Sequence, residues 1–361
     1  MFFRRYFREL PAEETGGVHM TGSEKKQMVL AVGTILAGML IIFLIIFGLQ
    51  FLLGFAQAKN APPGWQIIRP PGEVYTIFID NTTIWTGGKD GVILVNRISG
   101  SVIPLPGNPP PFSYVRAIIR DRTGSFWIAH DGGLVRYDGH TWQVIAPGND
   151  VPFTKTLSLI ERKDGTIVAG TVLGVYSFDG KQWTDLVPVT GPVPVTADAL
   201  FEDSDGNLWI GCVSPTHGGL FLKNSTGWYS MTDNNPLLHT SARMITQTRD
   251  GAVWVASGFA NIGGAVVEQQ GSWSNLTVSD GLAGEATRTV YEDRAGRMWV
   301  GSEYDGIAVR SNGTWRIITT REGLAGQEVK VMTEDTDGTY WLGTNGGLNR
   351  VDPVAVQSLT G

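Results

Sequence analysis

After residue 64, apolar and polar positions fall into short runs separated by turn residues, and the arrangement repeats. One unit reads Val290-Tyr291, then Glu292-Asp293-Arg294-Ala295-Gly296, then Arg297-Met298-Trp299-Val300-Gly301. An apolar run thus ends in a turn containing Asp and Gly, and a second apolar run with Trp follows. This is a hairpin signal. The same phrase recurs around Trp85, Trp127, Trp209, Trp254, Trp299 and Trp341, with Val168 in the Trp position of a seventh copy. Taken in chain order, the steps are 42, 41, 41, 45, 45 and 42 residues. Each unit adds a third run, such as Gly347-Leu348-Asn349-Arg350-Val351, and most add a fourth with its own Trp, such as Thr314-Trp315-Arg316-Ile317-Ile318. Four short antiparallel strands, repeated seven times, predict an all-β, seven-bladed β-propeller over residues 64–353.

The last unit stops after its third run, at Val351-Asp352-Pro353, and residues 354–361 read as a C-terminal tail. A fourth-strand phrase stands at the other end of the domain, in Gly64-Trp65-Gln66-Ile67-Ile68. Residues 64–70 are therefore expected to close the last blade, which leaves no long sheet edge exposed. Six Trp then sit on second strands and six (Trp65, Trp142, Trp183, Trp228, Trp273, Trp315) on fourth strands. Both registers suit packing of blade on blade, so the tryptophans read as scaffold.

A different pattern precedes the repeats. Met28 to Leu49 is 22 residues without a charge, long enough at about 1.5 Å per residue to cross a hydrocarbon layer of about 30 Å. The expectation is a cytoplasmic tail (1–27), a single transmembrane α-helix (28–56) anchored in the lipid bilayer, and a linker (57–63). Arg4, Arg5, Arg8, Lys25 and Lys26 precede the apolar run, whereas only Lys59 and Arg69 closely follow it. That asymmetry predicts a cytoplasmic N-terminus and an extracytoplasmic propeller. Ala56-Gln57-Ala58 leaves cleavage after Ala58 as the alternative to an uncleaved anchor.

Composition narrows the function classes. Of 28 Lys/Arg and 34 Asp/Glu, six and four respectively lie before residue 60, so the remainder carries a net charge of −8. An acidic domain argues against a nucleic-acid partner. One Cys excludes a disulfide framework and a Cys-only zinc site. No P-loop, dinucleotide fingerprint, HExxH or nucleophile elbow occurs, and no cofactor is expected.

The phrases Gly281-Leu282 to Gly301-Ser302 and Gly323-Leu324 to Gly343-Thr344, continuing to Gly346-Gly347-Leu348-Asn349-Arg350, resemble the two-component regulator propeller repeat. Units four, six and seven carry the resemblance most fully. It implies an extracytoplasmic sensory propeller for carbohydrate or other nutrient signals. The chain departs from the usual layout, with no following immunoglobulin-like domain, second span or kinase, so signalling would pass through a separate protein. A scaffold or assembly factor and a metal-dependent rim lyase are the alternative functions.

Candidate binding residues follow from the frame. Eleven positions before each second-strand Trp (or Val168) stand Arg116, Leu157, Asp198, Arg243, Arg288 and Lys330, with Tyr75 nearest in the shorter first unit. These positions mark the start of the innermost strand, so four cations converge on one channel mouth. Two readings stand. The cations attract an anionic ligand group, or they pair with carboxylates of neighbouring blades such as Glu202, Glu292 or Glu334. Lys89, Asp90, His130, Asp131, Glu303, Tyr304, Asp305 and Asn345 occupy loops of the same face, and the loops Cys212–Gly219 and Ser257–Gly264 are longer. For catalysis the candidates are thin: His130 and His217 share a rim, but spacing fixes no acidic partner.

Overall fold

The computed structural model describes residues 21–23, 27, 30–34, 36–42, 61–145, 155–187, 196–213, 218–232, 241–259 and 262–360. They divide into two units, Met1–Asn60 and Ala61–Gly361. In the first, residues 30–34 and 36–42 are helical, and no described helix is long and apolar enough to cross a membrane. The rest of the expected span lies outside the described residues.

The second unit is a seven-bladed propeller of seven four-stranded antiparallel sheets. Its innermost strands are Thr76–Asp80, Val115–Arg120, Thr156–Glu161, Ala199–Glu202, Met244–Gln247, Thr287–Glu292 and Val329–Glu334. Six blades use consecutive strands. In the seventh the outer strand is Trp65–Ile68, pairing Trp65 with Val351 and Ile68 with Leu348. Beyond Val351, where the sequence suggests only a tail, Pro353–Thr360 forms a helix. Val356 and Ala355 of that helix join the core that also holds Trp65 and Trp299.

Second-strand tryptophans are the most buried layer, with Trp341 fully inaccessible and Trp299 nearly so. The Asp that ends the inner-strand phrase in blades two, four, six and seven explains how the polar edge of their tryptophans is accommodated. Asp121, Asp203 and Asp293 accept the indole N–H of Trp127, Trp209 and Trp299 at 2.8, 2.8 and 2.9 Å. The same Asp closes the turn: Asp203 also accepts the amides of Asp205 and Asn207. Its carboxylate is filled by the hairpin, as the Asp-Gly turn reading requires.

The Gly two residues after Trp has a different cause. A Cβ on Gly301 would lie 2.6 Å from the Val329 carbonyl oxygen of the next blade, and one on Gly211 would lie 2.3 Å from that of Ala242. Close inter-blade approach therefore demands Gly at these two positions, while Ala129 and Ala256 stand at the equivalent place in blades two and five.

On the face formed by the A–B hairpins, the loops joining each innermost strand to the second, a repeated bond ties each blade to the next. The amides of Arg122, Lys163, Ser204, Arg249 and Arg294 donate to Glu161, Glu202, Gln247, Glu292 and Glu334, at 3.0, 2.7, 2.8, 2.9 and 2.7 Å. Arg97–Asp335 and Arg120–Asp80, at 2.5 and 2.9 Å, tie blade one to its two neighbours. The ring of latches is complete.

Candidate functional site

The channel mouth lies on the opposite face and is built by backbone irregularity. Where an inner strand begins, two of its residues oppose one on the second strand. Register shifts place Arg116, Leu157, Arg288 and Lys330 at the extra position. In the other three blades the amides of Tyr75, Asp198 and Arg243 bond Gly87, Gly211 and Ala256, which also pair with Thr76, Ala199 and Met244. All seven blades thus carry the bulge at the residue eleven (in blade one, ten) before the second-strand Trp position. A bulge turns a side chain out of the pleat, and here six of these side chains are polar. They line a cavity of about 460 Å³ in the central channel.

Neither reading of the four cations holds in full. Glu202, Glu292 and Glu334 lie at the far end of the inner strands, engaged in the hairpin-face latches, and are not the partners. The mouth supplies its own acids. Arg116 bonds Asp131 at 2.7 Å, and Lys155 reaches the same carboxylate at 3.2 Å. Arg288 pairs with Glu303, and with Glu328 at 3.1 Å. Lys330 bridges Glu328 at 2.8 Å and Glu73 at 3.1 Å, and Tyr114 donates its hydroxyl to Glu73. Burial tends to raise the Glu73 carboxyl, but its bonds from Tyr114 and Lys330 prevail and hold it below the usual range. Burial and Glu73 push the Tyr114 phenol far up, so it remains a donor.

These additional residues share one position. Glu73, Tyr114, Lys155 and Glu328 each stand two residues before a bulge residue, as do Thr196 and Ser241. Counting back thirteen instead of eleven would have exposed this second ring.

The network runs through blades six, seven, one, two and three, and stops at four and five. No carboxylate oxygen of the described residues lies within 4.0 Å of the Arg243 guanidinium, and its Nε is buried without an acceptor. Burial, and then the neighbouring Arg288 charge, pull the Arg243 group below its ordinary range. A guanidinium stays charged at any physiological pH, so this direction records a cost of burial that the fields of Tyr75, Asp198 and Glu303 do not fully offset. Asp198, beside it, is held only by neutral donors, the Thr196 hydroxyl at 2.9 Å and the Val213 amide at 3.1 Å. Burial dominates and raises its carboxyl above the usual range. Tyr75 stands on the far wall, its ring 5.7 Å from the Arg116 guanidinium and 5.5 Å from the Lys330 ammonium. Its hydroxyl takes no hydrogen bond from the described residues. Five cations (Arg116, Lys155, Arg243, Arg288, Lys330) thus meet five carboxylates (Glu73, Asp131, Asp198, Glu303, Glu328), and one of each remains unmatched.

The other loop candidates divide. Asp90 accepts the Gly72 amide at 2.7 Å, Asn345 that of Glu328 at 3.2 Å, and Asp305 lies against Ser302 at 3.4 Å. They shape loops. Lys89 adds a positive field at Glu73. Tyr304 is exposed at the rim. His130 is buried at the end of its strand, where Nδ1 accepts the Gly132 amide at 3.3 Å and lies 3.0 Å from the Ser113 hydroxyl. Burial lowers its pKa and keeps it neutral, which suits packing better than acid–base work. His217 lies outside the described residues. Among the described residues no three His, Cys, Asp or Glu side chains are grouped to hold a metal.

Comparison with known proteins adds the following. A family model described as the two component regulator propeller matches residues 191–214, 281–304 and 323–346. The fold is similar to the extracellular domain of BT3049 from B. thetaiotaomicron, described as a hybrid two component system, with TM-score 0.70 and 18% identity over 83% of this chain and 42% of that one. It is also similar to YCF48 from Cyanidioschyzon merolae, with TM-score 0.59 and 14% identity over 81% of this chain and 99% of that one. Virginiamycin B lyase from Staphylococcus aureus is similar as well, with TM-score 0.59 and 15% identity over 79% of this chain and 97% of that one. At these identities the likeness is one of fold, and the chain spans less than half of the BT3049 domain. No curated protein matches the sequence. The three segments that match the two component regulator propeller model fall in units four, six and seven of this propeller.

Proposed function

We propose that this chain is the recognition part of a signalling system: residues 28–56 anchor it in the membrane, the propeller faces the extracytoplasmic side, and a separate protein relays the signal. The channel mouth is its ligand site. The observation that carries this reading is the break in the charge network at Asp198 and Arg243. Arg243 lines the cavity with its Nε buried and, among the described residues, without a hydrogen-bond or ion-pair partner; in a cavity within the usual range of about 300–1,000 Å³ for ligand sites, that leaves it available to an external one. The Lys/Arg asymmetry around the apolar run and the repeat type support the location and the sensory role.

The test is thermal unfolding of the full chain in detergent against a library of small metabolites, with Arg243→Met in parallel. A compound that raises Tm by several degrees for the parent and not for the variant supports the reading. Stabilising compounds that act equally on both contradict it. Protease added to intact cells should digest the propeller, and protection until lysis would overturn the location.

A second reading, docking of a protein on the same face, has its own observation. The hairpin of Val253–Phe259 and Ile262–Gln269 exposes Phe259 and Ile262, and Tyr304 is exposed at the rim. Capture of a protein partner that is lost on replacing Phe259 and Tyr304 by Ser would favour it.

A further inference from the structure

We propose that the opening at blades four and five binds a small monocarboxylate that also carries a hydroxyl group, through Arg243, Asp198 and Tyr75. The inference rests on the channel mouth being the ligand site and adds the chemical class. Among the described residues that line the cavity, Arg243 is the cation without an ion pair, and a guanidinium fork matches a carboxylate in two parallel hydrogen bonds. A second anionic charge in the cavity meets Arg116, Arg288 and Lys330, which are already paired with carboxylates. Phosphate esters and polyanions are disfavoured further by the Asp198 carboxylate in the same wall.

Asp198 defines the other half of the ligand. Both of its donors, Thr196 and Val213, bond Oδ2. Oδ1 takes no hydrogen bond from the described residues, and Asp198 is part of the cavity wall. A carboxylate acceptor there calls for a donor on the ligand, and a hydroxyl close to the bound carboxylate supplies it without adding charge. The Tyr75 hydroxyl, on the opposite wall, can donate to or accept from a further oxygen. A ligand without the carboxylate leaves Arg243 buried and unmatched, and one without the hydroxyl leaves Asp198 so. Selectivity of this kind arises from the unpaired groups that the wrong ligand strands.

The experiment is isothermal titration of the full chain in detergent with glucuronate, galacturonate and gluconate. Glucose lacks the carboxylate, cyclohexanecarboxylate lacks the hydroxyls, and glucose 6-phosphate carries a dianion, so these three serve as controls. At least one of the three acids should bind about tenfold or more tightly than glucose and glucose 6-phosphate. Arg243→Met should weaken that acid about tenfold or more, and Arg243→Lys should retain part of the affinity. Asp198→Ala should weaken the sugar acid while leaving cyclohexanecarboxylate binding equal or stronger. Each variant is accepted only if its thermal unfolding matches or exceeds that of the parent. Failure of all three acids to bind, equal binding of glucose, or unchanged affinity in Arg243→Met would overturn the proposal. If a neutral or phosphorylated sugar binds in an Arg243-dependent way, the ligand class falls while the channel mouth stands. If binding depends on none of Arg243, Asp198 and Tyr75, both fall.

Discussion

The two faces of the propeller use the same residue types to opposite ends. On the hairpin face, Arg122 spends its side chain on Glu161 and on the carbonyls of Arg162 and Lys163, all in the next blade. Arg162, Lys163, Arg249 and Arg294 likewise bond acceptors in the next blade. On the channel-mouth face, five blades are tied in the same manner and two are left open, with a cation and a carboxylate that form no ion pair within 4.0 Å among the described residues. A face whose charges are held by ion pairs and turn bonds describes a scaffold. A face that leaves a half-buried charge without an ion pair among the described residues costs stability, and proteins retain such costs where a site needs them.

Changes on the hairpin face should therefore destabilise, and changes at the open part of the mouth should not. The largest effect is expected for Asp293→Ala. Asp293 is fully buried, accepts the Trp299 indole, and bonds the Arg297 guanidinium at 2.6 Å. Its removal strands a charge and an N–H, at about 3–5 kcal/mol. Urea unfolding measures this, and a loss below about 1 kcal/mol would break the contrast. Trp65→Ala, which strips the outer strand of blade seven of its buried anchor, should cost a similar amount, about 3–5 kcal/mol.

Next comes a single latch. Glu292→Ala removes the acceptor of the Arg249 amide, 2.9 Å away, and should cost about 1 kcal/mol. Asp131→Ala, at the mouth, releases a half-exposed pair and should cost at most about the same. The smallest effect carries its own pH signature. The Asp198 carboxyl is raised in the folded protein, so the folded state holds that proton more tightly than the unfolded chain does. Ionisation then opposes folding: stability is lost as pH rises from about 3.9, the unfolded value, through the folded one. Asp198→Asn should be more stable than the parent at pH 7, with the difference vanishing below about pH 3.9. Equal pH profiles for the two proteins would remove Asp198 from the set of strained groups.

The frame of this fold is legible in the sequence because its signals are local and repeated. Trp299, Asp293 and Gly301 each have a fixed place in the unit, and each place has one physical cause: burial, indole and turn satisfaction, and close approach of the next blade. Counting from the Trp also finds the bulge ring, since a bulge keeps its distance from the hairpin. The partners were not legible. Glu303 and Asp131 come from loops of different lengths, and Glu73 and Glu328 reach cations from the strand entry of a neighbouring blade. Hence Glu292 and Glu334, which share blades or neighbours with the cations in sequence, are poor guides to pairing. Only three-dimensional closure shows that Arg116, Arg288 and Lys330 have ion pairs and that Arg243 has none among the described residues.

The most direct test of that distinction needs no ligand. Urea unfolding of Arg243→Met at pH 7, beside the parent, measures whether the guanidinium is a cost or a support. The account predicts a variant more stable than the parent, by about 1 kcal/mol, since a half-buried charge without an ion pair among the described residues is exchanged for an apolar chain of similar length. A loss of about 1 kcal/mol or more would show that Arg243 is a structural brace and would contradict the claim that the mouth is open at this point.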